Sequence, residues 1–296
     1  MGKKVNIKIN GMPLEVPENY TILEAAKLSG IDIPTLCYLK DINEIGACRM
    51  CVVEVKGARS LVASCVYPVS EGMEVLTNTP KIQKSRKMTL EMLLSVHNKD
   101  CLACKRSGNC EFQTLCNEMG VESTDRFEGV KPDATKDVST LHLIRDNSKC
   151  ILCRRCVAAC ANQHVGVIGP NGRGFDTHIA CPFEKELNDV PCVSCGQCIV
   201  SCPTGALTER DQYDEVFEAL NDPEKYVVVQ TAPAIRATLG ECFGMEPGTN
   251  VKGKMVAALR RLGFDKVFDT NFGADLTIIE EANRSEERRV GKECRS

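Results

Sequence analysis

Two runs of cysteine constrain this chain more than any other feature: Cys150-x2-Cys153-x2-Cys156-x3-Cys160 and, 42 positions later, Cys192-x2-Cys195-x2-Cys198-x3-Cys202-Pro203. Each run puts three thiols within seven residues, so they must converge on something small. Zinc takes four ligands at one tetrahedral point and fits this spacing poorly. A [4Fe–4S] cube fits it, because in paired runs the fourth Cys of one reaches the cube of the other. One cube is therefore expected on Cys150, Cys153, Cys156 and Cys202. The second is expected on Cys192, Cys195, Cys198 and Cys160. The two groups form an internal repeat over residues 146–208, with Ala161 in the first run where the second has Pro203.

The remaining cysteines extend this reading. There are 19 in 296 residues, and an odd number argues against a disulfide framework. The start, Met1-Gly2-Lys3-Lys4-Val5-Asn6, lacks the apolar core of a signal peptide. No run of about 18 apolar residues is present to span a membrane. The expected setting is a reducing cytoplasm, where clustered Cys mean metal. A net charge of -3 gives no reason to expect nucleic acid or an anionic membrane as partner. Aromatic residues are only 5%, with no Trp; metal–sulfur bonds can replace part of a small module's core.

A third group is Cys37, Cys48, Cys51 and Cys65, centred on Cys48-Arg49-Met50-Cys51 in a loop with Gly46. Its spacing departs from the plant-type C-x4-C-x2-C run. It resembles the N-terminal [2Fe–2S] domain of iron-only hydrogenases and of the large iron–sulfur subunit of complex I. A four-Cys zinc site is the alternative. The fourth group is His97-x3-Cys101-x2-Cys104-x5-Cys110. Taken alone, three Cys and one His also suit zinc. The same families place a [4Fe–4S] cluster with one His ligand on this spacing. A neutral imidazole in place of a thiolate should raise the cluster's potential. Cys116, Cys181 and Cys242 fall outside these spacings and read as buried thiols. His142, His164 and His178 read as ordinary surface or core residues. Lys81, Lys84, Arg86 and Lys87 read as a solvated helix face, with docking of an acidic redox partner as the alternative.

The whole is an α+β multidomain chain. Residues 1–78 alternate at Val5, Ile7 and Ile9, turn at Asn10-Gly11 and continue through Leu14 and Val16. Thr21 and Glu24 form a capping box before a helix from Ile22 to Leu28, ended by Gly30. This pattern resembles the β-grasp fold of plant-type ferredoxins. Residues 79–125 start with a helix and run into the group of one His and three Cys. Residues 126–145 read as a charged connector, and 140–210 as a two-cluster ferredoxin domain. In 225–283, Tyr226–Val229 reads as a buried strand. Val251–Leu262 reads as a helix capped by Gly263, and Lys266–Phe268 as a second strand. Such a partial βαβ unit leaves an unpaired apolar sheet edge, so 1–283 is expected to be less soluble than 1–215.

Two single-cluster modules feeding a two-cluster ferredoxin resemble three groups: iron-only hydrogenases, certain formate dehydrogenases and complex I relatives. Several later stretches resemble the start of the [FeFe] hydrogenase catalytic domain. They are Thr231-Ala232-Pro233-Ala234-Ile235-Arg236, Ala257 through Thr270, Phe272 through Thr277, and Glu280-Glu281-Ala282. The resemblance covers residues 4–283, the last of its domains being a truncated α/β hydrogenase domain. It implies one [2Fe–2S] and three [4Fe–4S] clusters, with a diiron H-cluster in the full-length protein only. It implies a parent enzyme that interconverts protons and H2, partnered by ferredoxin or by flavin and NAD(P)-binding subunits. It would place Ala232, Pro233 and Ala234 in the diiron pocket and Glu281 on the proton path. The four Cys of the family's catalytic cluster and its proton-donating Cys have no counterpart in this sequence, so this chain alone is expected to be inactive. Residues 284–296, RSEERRVGKECRS, are abruptly basic and read as a non-native tail that breaks a helix the family continues, with Cys294 part of it. The alternative function is a non-catalytic iron–sulfur subunit of a complex I-like or formate dehydrogenase assembly.

Overall fold

The chain divides into two units, residues 1–210 and 211–296. The computed structural model describes residues 3–121, 125–127 and 134–290. Both units mix helices and strands.

A hairpin begins the first unit. Strands β1 (Lys4–Ile9) and β2 (Met12–Pro17) pair antiparallel, with Ile9 opposite Met12. Asn10 and Gly11 make the turn at φ 50° and 83°, as a two-residue type I′ connection requires. Alternation buries Val5, Ile7 and Ile9 on one face. Helix α1 (Ile22–Leu28) starts at a capping box: Glu24 N–H donates to Thr21 Oγ1, and Thr21 N–H to the Glu24 carboxylate. Its Ile22, Ala25 and Ala26 join the core of the sheet. Strands β3 (Val52–Val55), β4 (Val62–Ala63) and β5 (Glu74–Leu76) complete five strands in the order β2-β1-β5-β3-β4, with β1 and β5 parallel.

Helix α2 (Pro80–Val96) is capped by Thr79, whose hydroxyl accepts from Ile82 N–H, and has Pro at its first position, where no donor is lost. Ile82, Arg86 and Leu90 form its buried stripe. The basic run is therefore not one solvated face. Lys81, Lys84 and Lys87 are exposed, but Arg86 stands four residues after Ile82 and points inward, donating from Nη2 to Val52 O at 2.9 Å. Helix α3 (Glu111–Glu118) follows.

The described part of 126–145 is more than a connector. Strands β6 (Lys136–Asp137) and β7 (Leu143–Asp146) pair with each other, and β7 pairs with β10 (Leu207–Glu209). Short strands whose partner lies some sixty residues away carry too little local periodicity to be read from sequence. Between them lie α4 (Arg155–Asn162), the pair β8 (Gly169–Asn171) and β9 (His178–Ala180), and α5 (Gln197–Ser201).

The second unit consists of α6 (Tyr213–Asn221), β11 (Val228–Thr231), α7 (Ile235–Thr238), α8 (Lys252–Leu262), β12 (Lys266–Asp269) and α9 (Thr270–Val290). β11 and β12 are parallel, with Val228 opposite Lys266. α8 is the crossover, and Gly263 ends it at φ 108°. The strand expected at 226–229 lies at 228–231 and is not buried: Val228 is 53% exposed. Two strands bury little, and among the described residues of this unit only Val251 and Met255 are buried apolar side chains. Phe243, Phe272, Ile278 and Ile279 are all exposed. An uncovered apolar surface of this kind favours self-association. The 1–283 chain is thus expected to aggregate at concentrations where 1–215 stays monomeric, as size-exclusion chromatography would record. α9 does not break at Asn283; it runs on to Val290. Residues 291–296, with Cys294, lie outside the described residues. Among the described residues no helix is long and apolar enough to cross a membrane.

Candidate cluster sites

The loops around β3 and β4 gather the first four thiols. Gly46 and Arg49 take left-handed φ of 62° and 60° and fold the loop back on itself. Cys48 N–H points at Cys37 Sγ at 3.5 Å, and Cys51 Sγ lies 3.2 Å from Cys65 Sγ. The hydrogen bond between the Cys37 and Cys48 side chains lowers the Cys48 thiol and raises that of Cys37. That between Cys51 and Cys65 likewise lowers Cys51 and raises Cys65. The buried Arg86 guanidinium is an electrostatic neighbour of Cys51.

His97 is the residue at which α2 ends. Its ring is buried and stands edge-on to Phe112, centroids 5.0 Å apart. Burial, and then the charge of Lys149, push the imidazole down to about 4, so it is neutral, the form that binds metal. His97, Cys101, Cys104 and Cys110 line one cavity of about 200 Å³. Cys110 caps α3, its Sγ accepting from Gln113 N–H. Gly205, from the distant Cys202-Pro203-Thr204-Gly205 segment, closes the same cavity. A Cβ at Gly205 would stand 2.6 Å from Cys104 Sγ. No spacing rule marks this glycine in the sequence.

The paired runs share one backbone shape. Leu152 and Arg154 have φ of 54° and 62°, and Ser194 and Gly196, at matching places, 53° and 73°. Left-handed residues on either side of the second Cys turn the loop around a centre, at a steric cost for the three that are not Gly. Each loop then enters a helix, α4 or α5, that carries the third Cys. Cys150, Cys153, Cys156 and Cys202 line one small cavity. Burial pushes Cys150 and Cys153 up to about 11 and about 12, and both have Cys202 as an electrostatic neighbour. Burial also pushes Cys198 up to about 11, with Cys160, Cys192 and Cys195 as its electrostatic neighbours. The fourth Cys of each run thus lies with the other run's first three.

Among the described residues, five buried side-chain nitrogens have no partner: Nε of Arg86, Arg106, Arg145 and Arg155, and Nδ1 of His97. Buried polar atoms are nearly always bonded. Arg86 borders Cys51, Arg106 lines the His97 cavity, Arg145 lines that of Cys150, and Arg155 borders Cys153. Orphaned donors beside thiols, and a glycine at 205 that lets the backbone approach Cys104 Sγ more closely than a Cβ would allow, fit an anionic group rich in acceptor sulfur. Among the described residues no three His, Cys, Asp or Glu side chains converge on one point as a single ion requires.

Cys116 is buried in the apolar core beside Cys110, and burial pushes its thiol up to about 12. Cys181 is fully buried and accepts from Arg145 Nη1 at 3.6 Å. Cys242 is exposed instead, since the second unit has little core to take it. His142 and His164 are exposed, and His178 bonds the Glu184 carboxylate at 3.0 Å. In the second unit, Ala232 and Pro233 help line a cavity of about 250 Å³ where β11 and β12 end, beside the Lys252–Asp269 ion pair. Ala234 and Glu281 are not among its lining residues. Glu281 lies on α9 eleven residues past Thr270, about 16 Å along the helix.

Four family models match. They describe a 2Fe-2S iron-sulfur cluster binding domain over residues 2–80 and the NADH-ubiquinone oxidoreductase-G iron-sulfur binding region over 86–125. A 4Fe-4S dicluster domain matches 149–206, and the iron only hydrogenase large subunit, C-terminal domain, matches 225–294. The chain is 51% identical over 294 residues to the NADP-reducing hydrogenase subunit HndD of Solidesulfovibrio fructosivorans, covering 97% of this chain and 50% of that one. It is 40% identical to iron hydrogenase 1 of Clostridium pasteurianum, covering 95% and 49%. It is 38% identical to the NADH-ubiquinone oxidoreductase 75 kDa subunit of Reclinomonas americana, covering 70% and 29%. The chain spans about half the length of the hydrogenase relatives it matches. Among solved structures, a chain of the NAD+-reducing [NiFe]-hydrogenase in the H2-reduced state aligns with a TM-score of 0.65 and 29% identity, covering 70% of this chain and 87% of that one.

Proposed function

We propose that this chain, which carries the iron–sulfur domains of the [FeFe] hydrogenases and the opening of their large-subunit domain, is the electron-transfer portion of such an enzyme. One observation carries the reading. Relatives among the NADH-quinone and NADH-ubiquinone oxidoreductases match 69–70% of the chain, whereas the NADP-reducing hydrogenase subunit and iron hydrogenase 1 match 95–97% and so reach through the second unit.

In this reading Cys37, Cys48, Cys51 and Cys65 hold a [2Fe–2S] cluster in a β-grasp module, residues 1–78. His97, Cys101, Cys104 and Cys110 hold a [4Fe–4S] cluster in 79–125. The two crossed sets of the paired runs hold two cubes in 140–210. Residues 225–283 begin the hydrogenase domain. The clusters supply one-electron exchange when bound. The chain's own residues fix the thiols by left-handed turns, exclude water with the shared apolar core, and set buried arginines beside the sulfur. Ala232, Pro233, Ala234 and Glu281 keep their proposed places at the diiron pocket and proton path of the full-length enzyme, which would interconvert protons and H2. The names of two relatives, NADP-reducing and NAD+-reducing, favour a nicotinamide-linked partner subunit over ferredoxin. The second reading, an iron–sulfur subunit of a complex I-like assembly, draws on the oxidoreductase relatives of the first unit.

The test is metal content and spectroscopy of the chain purified without oxygen. About fourteen iron atoms per chain are expected, with electron paramagnetic resonance signals of both cluster types. Stoichiometric zinc with little iron would overturn the reading. Joining 1–283 to the rest of the large-subunit domain of the Clostridium relative should yield a hydrogen-evolving enzyme after maturation. A chimera that binds every cluster yet evolves none favours the complex I-like reading.

Gly205 gives a sharper expectation. In Gly205→Ala the new methyl would meet Cys104 Sγ at 2.6 Å, so either the thiol or the 202–206 segment must shift. The variant is expected to lose the His97-site cluster and about four iron atoms, leaving the [2Fe–2S] signal unchanged. Iron analysis with the resonance spectrum checks this.

A further inference from the structure

Asn43 joins two thiol sets that the sequence keeps far apart. Its side chain is buried at 3% exposure. Nδ2 donates to Cys37 O at 2.7 Å and to Cys153 O at 3.1 Å, across 110 residues of chain. Both amide hydrogens are thereby committed. The backbone is pinned as well: Asn43 N–H donates to Leu39 O at 2.7 Å, and Leu39 N–H to Asn43 O at 3.0 Å. Around this bridge Leu36, Cys37, Met50, Ile151 and Cys153 belong to one buried core, so no bulk water competes for the amide. A buried, doubly bonded amide costs desolvation that a hydrophobic side chain would avoid. Its geometry joins the peptide of one candidate [2Fe–2S] ligand to that of one candidate cube ligand.

We propose that Asn43 is the positioning residue of the electron junction between the [2Fe–2S] cluster and the cube on Cys150, Cys153, Cys156 and Cys202. The proposal rests on the cluster reading above. In the step it serves, one electron leaves the reduced [2Fe–2S] cluster, which is oxidised, and enters the oxidised cube, which is reduced; no proton moves and no bond breaks. Electronic coupling falls steeply with distance and less steeply along bonds than across gaps. The route from Cys37 through the Asn43 NH2 group to Cys153 consists of covalent bonds and two hydrogen bonds. The amide also fixes the distance between the two ligand peptides. Because Asn43 is uncharged and bonds peptide carbonyls rather than sulfur, it should set the rate of exchange and leave both potentials alone.

The experiment uses the full chain with its clusters, as wild type, Asn43→Leu and Asn43→Ser. Leu keeps the size and removes both donors; Ser keeps one polar hydrogen on a shorter arm. Iron content, both resonance signals and both midpoint potentials are measured first. A flash-excited dye, regenerated by a sacrificial amine donor that is oxidised, then delivers one electron to the [2Fe–2S] cluster, and the cluster's reoxidation is followed. Exchange slowed about tenfold or more in Asn43→Leu, and less in Asn43→Ser, at unchanged potentials, is the expected result. An unmoved rate with the clusters intact, or a slowing that shifted potentials account for, overturns the proposal. If either variant loses iron, the wild type decides: relaxation of the reduced [2Fe–2S] signal must quicken when the cube is reduced, and an unaltered relaxation rate overturns the junction. A wild-type chain without iron would sink the cluster reading, and this proposal with it. A full iron complement with an unmoved rate sinks this proposal alone.

Discussion

Cys202→Ser is expected to remove the cube of the other run, the one on Cys150, Cys153 and Cys156, and to spare the cube on Cys192, Cys195 and Cys198. Iron should fall from about fourteen atoms to about ten. The total alone does not identify the cube, because Cys160→Ser should cost the same number. Paired variants do. Cys150→Ser added to Cys202→Ser acts on a cube already lost and should remove no further iron. Cys192→Ser added to Cys202→Ser should remove about four more. Sites that share one partner fail to add, whereas independent sites do. The opposite pattern, with Cys192→Ser silent in the Cys202→Ser background, would mean that each run holds its own cube. The basis is the cavity that Cys202 shares with the first run and the placement of Cys160 with Cys192 and Cys195 as electrostatic neighbours of Cys198.

Arg145→Met is expected to destabilise the first unit by about 3–5 kcal/mol, the usual cost of leaving one partner of a buried ion pair alone. Arg145 Nη2 lies 3.2 Å from Asp137 Oδ2, and each side chain is 6% exposed. Asp137 also accepts from Leu187 N–H at 2.9 Å and from the Ser139 hydroxyl at 2.7 Å. Burial pushes its carboxyl up, but these bonds and the Arg145 charge outweigh burial and hold it below the ordinary carboxylate range. Its folded form is therefore the more acidic. The stability it contributes is fully present at neutral pH and is lost as pH falls through that depressed value. The readout is the urea concentration at which the cluster's visible absorbance disappears. It should drop in Arg145→Met and recover in part in Arg145→Lys. Arg145 also lines the cavity of Cys150 and Cys202, so losing its charge should make that cube harder to reduce. An unchanged urea midpoint would show that the pair only offsets its own desolvation.

How much of the molecule is legible in the sequence depends on the range of the interaction. The Cys-x2-Cys spacings, the Asn10-Gly11 turn, the Thr21 capping box and the Gly263 helix stop are written in neighbouring residues, since a thiol spacing, a turn or a cap is a local geometric demand. The β6–β7–β10 sheet escapes such a reading because its strands are two to four residues long and gain meaning only from distant partners. Arg86 departs from expectation because a charge run looks solvated until the helix phase sets one member on the buried stripe. Tyr226–Val229 looks like a buried strand in sequence, but burial needs a covering layer, which a run of apolar residues does not itself supply. By itself, then, the sequence determined which atoms could bind metal and where local turns fall, since both depend on neighbours along the chain. Only the tertiary structure decided that Gly205 presses on Cys104, that Arg145 is buried against Asp137, and that one amide at Asn43 joins two thiol groups. Those contacts form between segments brought together by the shared core, and no local pattern encodes which distant segment arrives.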